Sequence, residues 1–302
     1  MLSSLLVLQL VIVGILFSSD ANMDINNETK SLVNLNNELS NIKIIDGNQE
    51  LSFSKISGKW RIDNYPALEL LDNKVSSLTT ELATMQVTWP ITSTASSHER
   101  FKVTNDNFEK QVYFTDNQGN EQKLLLGKSP SFKKLYARNI DDDDVYSIDY
   151  NTYQLSADKN DWLDKSQLAI DSISKISHSV VNLEKSGSDW QLAAPSSLNE
   201  QQVLDEEYIE DFINQLTSLA VTGITEEVFE PTNKLTVFDE QDRKFVYSFA
   251  AVDDSYYVQR DDIEQWFQLS KSKYEKLAHL SLDQLVSDTL EKKEDESENL
   301  SE

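Results

Sequence analysis

Carboxylate is the chemically active group this sequence holds in excess: 52 Asp and Glu stand against 27 Lys and Arg, a formal net charge of −25. The densest run is Asp141, Asp142, Asp143 and Asp144. Hard cations take oxygen ligands and a turn can converge two or three of them, but this run lacks the central Gly and distal Glu of an EF-hand loop. A solvated hairpin turn is the expected form. The three histidines, His98, His178 and His279, share no ligand spacing, and there is no cysteine. Neither a zinc site nor a Ser-His-Asp constellation is expected. A carboxylate-pair hydrolase needs two acids facing one cleft from different elements, and with 52 acids the sequence nominates no pair. Arg138 and Arg260 each follow a short apolar stretch led by Tyr136 or Tyr257 and each precede acids. A guanidinium fork there can clamp its own turn, or can meet a carboxylate or phosphate of a partner. Arg138, Arg260 and the Asp141–Asp144 run are therefore the candidate partner surface, with no catalytic residue, metal ligand or cofactor site expected.

The elements that carry these groups are written twice. Trp60 is followed by Pro66, and Trp190 by Pro195. Each unit precedes an apolar-periodic helix and then several strands. In the first copy Ile42, Ile44, Leu51 and Phe53 alternate around Asp-Gly-Asn, as in a hairpin. Leu68, Leu71, Val75, Leu78, Leu82 and Met85 then recur at threes and fours, one stripe of a helix. Strands are expected at 110–115, 121–126, 134–138 and 145–148. In the second copy Asp205 or its acidic neighbours open a helix with the stripe Val203, Tyr208, Ile209, Phe212, Leu216 and Leu219, and strands follow at 235–238, 245–249, 256–259 and 266–269. Residues 274–290 read as helical, and 92–107 as a loop that the second copy lacks. Trp60 and Trp190 lie 130 residues apart, and Tyr136 and Tyr257 121 apart. The two Trp residues are expected to pack beneath the helices, and the two Pro to stop a strand and redirect the chain. No Gly-rich βαβ turn is present. These patterns predict an α+β fold of two tandem modules, each an antiparallel sheet covered by a helix, at 41–168 and 169–290.

The ends differ from the body. Leu2 to Phe17 is apolar except for Ser3, Ser4 and Gln9. As a helix it would span about 25 Å, close to the ~30 Å hydrocarbon core. A transmembrane anchor at 1–19 is expected, with a cleaved signal peptide as the competing reading. A polar spacer at 20–40 and a charged, disordered tail at 291–302 complete the division. The acidity of the body repels nucleic acid and anionic lipid surfaces.

The apolar start, the Trp60/Pro66 and Trp190/Pro195 units and the Leu135-Tyr136-Ala137-Arg138 and Val145-Tyr146 segments resemble the DUF4340 family. That resemblance implies a membrane-anchored envelope protein, some relatives being linked with ABC-type transport or gliding motility. It supplies no catalytic residues. The expected placement is a single pass through a bacterial inner membrane, with the body in the periplasm. The expected function is a non-enzymatic accessory or scaffold that binds a protein partner in the envelope, such as a transporter complex. A glycan- or peptide-binding module is the alternative, and a hydrolase stands third.

Overall fold

The structure is a computed structural model that describes residues 29–34, 37–194 and 196–288. In the first copy β2 (Leu39–Asp46) and β3 (Gln49–Ile56) close around Gly47, and β4 (Lys59–Ile62) returns through Ser57 and Gly58. Ser57 and Gly58 have φ of 51° and 82°. Two positive φ values make the tight turn whose twist matches that of the flanking strands. Helix α1 (Asp72–Ala83) buries Val75, Leu78 and Leu82 along one stripe. The chain then forms a four-strand meander of β6 (Lys110–Asp116), β7 (Glu121–Leu126), β8 (Lys134–Asn139) and β9 (Tyr146–Asp149). The sheet order is β4-β3-β2-β6-β7-β8-β9.

The second copy repeats this order element for element. The strands β10 (Lys175–His178), β11 (Asn182–Ser186) and β12 (Asp189–Leu192) precede α3 (Glu206–Thr217). After them come β15 (Asn233–Phe238), β16 (Lys244–Val252), β17 (Ser255–Arg260) and β18 (Trp266–Leu269). The order is β12-β11-β10-β15-β16-β17-β18, with one addition: β14 (Gly223–Thr225) pairs outside β18. Trp60 faces Lys55 across its hairpin, as Trp190 faces Lys185. Pro66 lies in the second of two successive turns, the first closed by Tyr65 N–H to Ile62 O and the second by Leu68 N–H to Tyr65 O. Pro195 lies outside the described residues.

By contacts the chain divides into one unit of residues 1–52 and 76–157 and a second of 53–75 and 158–302. In the first, β1 (Lys30–Ser31) pairs with β5 (Gln86–Val87), and Leu32 and Val33 are buried. Ile42, Ile44, Val112, Phe114 and Leu124 are fully buried on one face of the sheet, joined by the pairs Ile42↔Phe114, Ile44↔Val112 and Val112↔Leu124. Gly127 admits no side chain, because a Cβ there would meet Phe101 O at 2.1 Å. In the second unit Ile209, Phe212 and Leu216 of α3 share a core with Leu235, Val237, Tyr247, Phe249, Val258 and Phe267. Side chains this size contribute about 1.5–3 kcal/mol each when fully buried. Asp205 caps α3 by accepting from Tyr208 N–H, while Val203, expected on the apolar stripe of that helix, lies ahead of the cap in a strand. Trp162 is fully buried, edge-on to Phe53 at 4.9 Å, and Trp190 packs half-buried against the second core.

Three expectations are corrected. Residues 95–101 form a helix, α2 (Ala95–Phe101), within the stretch read as loop. Residues 274–290 are not one helix: α4 (Lys271–Ala278) ends, a capping box of Ser281 and Gln284 starts a 3-10 turn, and β19 (Val286–Asp288) pairs with β13 (Gln202–Leu204). The transmembrane helix of the expected fold is the third. Among the described residues no helix is long and apolar enough to cross a membrane. The longest have 12 residues, about 18 Å of helix against a core of ~30 Å. Residues 1–19, on which that expectation rested, lie outside the described residues, as does the 291–302 tail. The single-pass inner-membrane placement, the periplasmic body, membrane contact through that helix and the anchored accessory role are accordingly not carried forward.

Both meanders turn on a buried aspartate. Asp116 accepts from the N–H groups of Gln118 and Asn120, and its N–H reaches Asn120 O. Asp239 does the same with Gln241 and Arg243. Side-chain bonds from Asn37 and Asn120 hold Asp116 down at about 2. Burial alone would raise Asp239, but its bonds from Arg243 and Gln241 outweigh that and keep it below the usual range. A carboxylate with a depressed folded pKa stabilises above its unfolded pKa of about 4, and that stability is lost as pH falls through the folded value. Asp116→Asn, whose amide would confront the Asn37 and Asn120 donors, is expected to be less stable than the parent above about pH 4. The gap should narrow as pH falls towards about 2. Urea titrations across this range check it, and a gap independent of pH contradicts it.

Candidate functional site

The Asp141–Asp144 turn is built inward from its carbonyls. Arg138 is 7% exposed and donates from Nε to Val103 O at 2.8 Å and from Nη1 to Asp142 O at 2.7 Å and Ile140 O at 3.4 Å. His98, also buried, places Nε2 2.8 Å from Asp143 O. The carboxylates turn the other way: Lys30 pairs with Asp142, and Tyr146 Oη donates to Asp144 Oδ2 at 3.1 Å. Burial would raise Asp142, but the bond and charge of Lys30 together with the backbone N–H groups of Asp144 and Asp143 hold it below the usual range; burial and Asp144 push the Tyr146 hydroxyl up to about 12. Burial also lowers Arg138, with Asp143 and Asp142 opposing. Among the described residues no group of three or more His, Asp or Glu is placed to hold a metal ion.

Arg260 is equally buried but differently used. Its fork binds Asp262 at 2.6 and 2.9 Å and Ala169 O at 3.3 Å. Burial lowers it, while Asp262 and Tyr247 raise it, and the net shift is upward. The two arginines are not equivalent. Arg138 lies two residues after Tyr136, whereas Arg260 lies three after Tyr257. In a strand one residue exchanges the faces. Arg138 therefore lies on the face with Tyr136, Leu125 and Phe101, while Arg260 lies opposite Tyr247 on the face of the second core. Both guanidinium groups are spent inside their own units. His178 is half-buried, with its pKa lowered by burial and by His279.

Two open clefts accompany these groups. One of roughly 370 Å³ lies between Lys30, Asn34, Gln122, Asn139 and Asp142 in the first unit. Another of roughly 480 Å³ is lined by Thr222, Asp254, Tyr256, Tyr257, Gln268 and Lys271 in the second. Tyr257 is stacked under Phe229 at 4.1 Å. Trp60 and Trp190 are half-buried and form no exposed aromatic row.

The sequence does not reveal the margin of the first sheet. Trp89 is 67% exposed, Ile91 48%, and Phe132 and Tyr153 88% each. The fold gathers them at the ends of β9. Ile91 N–H donates to Val145 O beside its start, while Tyr150 N–H, just past its end, donates to Lys133 O next to Phe132. Tyr153 follows in a 3-10 turn at Thr152–Gln154.

This architecture defines the class: a duplicated antiparallel α+β protein in which a three-strand hairpin array, a helix and a four-strand meander recur in the same order. Residues 60–237, over half of the chain, match the family described as Domain of unknown function (DUF4340), and the chain belongs to it. The match opens at Trp60 on β4 and closes within β15. It carries no assignment of membrane anchoring, ABC-type transport or gliding motility. No curated protein and no solved structure matches the chain.

Replacing Arg138 by Met would strand the carbonyls of Val103 and Asp142 in a buried site. Unsatisfied buried acceptors of this kind make the expected cost about 2–4 kcal/mol. Lys271→Met, whose pair with Glu275 is exposed on both sides at 66% and 56%, should cost less than ~1 kcal/mol. Equilibrium denaturation of both variants checks the contrast, and equal losses would contradict it.

Proposed function

We propose that this chain is a non-catalytic protein-binding module that receives its partner at the β9 margin of the first unit. The observation that carries this reading is the grouping of Trp89, Ile91, Phe132 and Tyr153, exposed, at the two ends of one strand. Single exposed apolar residues are ordinary, but several large ones gathered around one feature mark an interaction surface. Aromatic side chains bury roughly 150–250 Å² each, which is why they dominate interfaces. The groups best equipped for reaction chemistry support the same reading, since Arg138, Arg260 and His98 are committed to carbonyls or to the carboxylate of their own turn.

A photo-crosslinking residue placed singly at Trp89, Phe132 and Tyr153 in the full chain, in its native cells, tests the reading. The same discrete protein adduct is expected from all three positions and not from Val252, an exposed position in the second unit. Adducts absent from the three, or indistinguishable from those at Val252, overturn it.

A further inference from the structure

The geometry points to strand addition: the outer edge of β9 accepts an extended segment of a partner polypeptide, antiparallel to it, acidic at its N-terminal end and basic at its C-terminal end. This deepens the proposed protein-binding role and rests on it.

Tyr136 faces Ser147 in the ladder, and its N–H and C=O are spent on Lys128 O and Gly127 N–H. Tyr136↔Ser147 is therefore a non-hydrogen-bonded pair. In an antiparallel ladder such pairs alternate with bonded ones. Tyr146 and Ile148 thus turn their peptide groups inward to β8, while Val145, Ser147 and Asp149 turn theirs outward. Val145 confirms the phase, because its N–H reaches Thr92 O and its C=O accepts from Ile91 N–H. At Ser147 and Asp149 no described backbone takes over.

The second copy shows what sits on the equivalent edge. There β14 runs along β18 antiparallel, with Thr225↔Trp266, Ile224↔Phe267 and Gly223↔Gln268. Its own outer edge is closed by a side chain: Asn160 Oδ1 accepts from Ile224 N–H at 2.9 Å. Gly223 lets Asn160 approach, since a Cβ would lie 2.9 Å from its Oδ1. In the first copy the corresponding strand shrinks to the single bridge Thr92↔Val145. Ile91 and Thr92 both bond to Val145, two residues against one, and this bulge ends the pairing before it reaches Ser147. One copy closes its edge with its own chain; the other ends that pairing at a bulge and leaves the edge to an outside strand.

Charge fixes the direction and chemistry of the occupant. The start of β9 adjoins Asp143 and Asp144, and its end adjoins Lys133 and Lys134, with Lys134 paired to Asp149 at 3.2 Å. An antiparallel strand brings its basic C-terminal end to the acids and its acidic N-terminal end to the lysines. Backbone pairing supplies the affinity in such recognition, and flanking side-chain contacts to Trp89 and Phe132 supply selectivity.

The test titrates the full chain with acetyl-Asp-Glu-Val-Thr-Ile-Thr-Lys-Lys-amide and with its charge-reversed permutation. Saturable binding of the first is expected, weaker binding of the second, and shifts of the Ser147 and Asp149 amides. Ser147→Pro removes an outward N–H without touching the β8 ladder, and should weaken binding by about tenfold or more at an unchanged melting temperature. Should that variant fold poorly, N-methylation of alternate peptide amides replaces it. One phase of methylation should abolish binding and the other leave it. Failure to bind, indifference to Ser147→Pro and to methylation phase, or self-association of the chain through β9 that excludes the peptide overturns the inference. Discrete adducts at Trp89 and Phe132 together with a null peptide result would sink strand addition alone; absent adducts would sink the binding role as well.

Discussion

A strand at the margin of an antiparallel sheet turns every second peptide group away from its neighbour, and those groups must find partners or water. Both sheets of this protein meet that constraint on the strand that ends their meander, and they meet it differently. In the second copy a short strand and then the Asn160 side chain consume the outward groups in succession. In the first, one bridge at Val145 is made and a bulge of Ile91 and Thr92 ends it. A duplication that repeats strand order so closely makes this difference informative, because each copy is a control for the other.

The alternation that sets the edge also sets the faces. Tyr136 and Tyr257 occupy matching faces, yet Arg138 and Arg260, separated from them by two and three residues, enter opposite environments. One binds carbonyls around a turn; the other binds the half-exposed carboxylate of Asp262. By contrast Asp116 and Asp239 keep the same bonds two and four residues ahead in both copies. Turn chemistry is local and survives duplication unchanged, while a face depends on a count that one residue alters.

Much of the fold was legible because its signals are local. The turn residues of the hairpins, the Asp205 cap and the apolar stripe of α3 lie within a few residues of what they control. The α2 helix was hidden because Ser-rich Ala95–Phe101 carries little apolar periodicity, and its burial depends on Leu125 and Val145 across the sheet. A period of threes and fours continued past Ala278, but Ser281 and Gln284 restarted the chain there. Of the candidate surface, the acidic turn was legible and the use of Arg138 within it was one of the two readings the sequence allowed. The open edge was not legible. Gly223-Ile224-Thr225 is too short to show a period, and the cap supplied by Asn160 comes from 64 residues away.

The most direct measurement is residue-resolved amide hydrogen exchange across β9 in the free chain. The outward amides of Ser147 and Asp149 should exchange far faster than those of Tyr146 and Ile148, with Val145 protected by Thr92. Equal protection along all five would contradict the open edge, and with it the account of why the two copies differ.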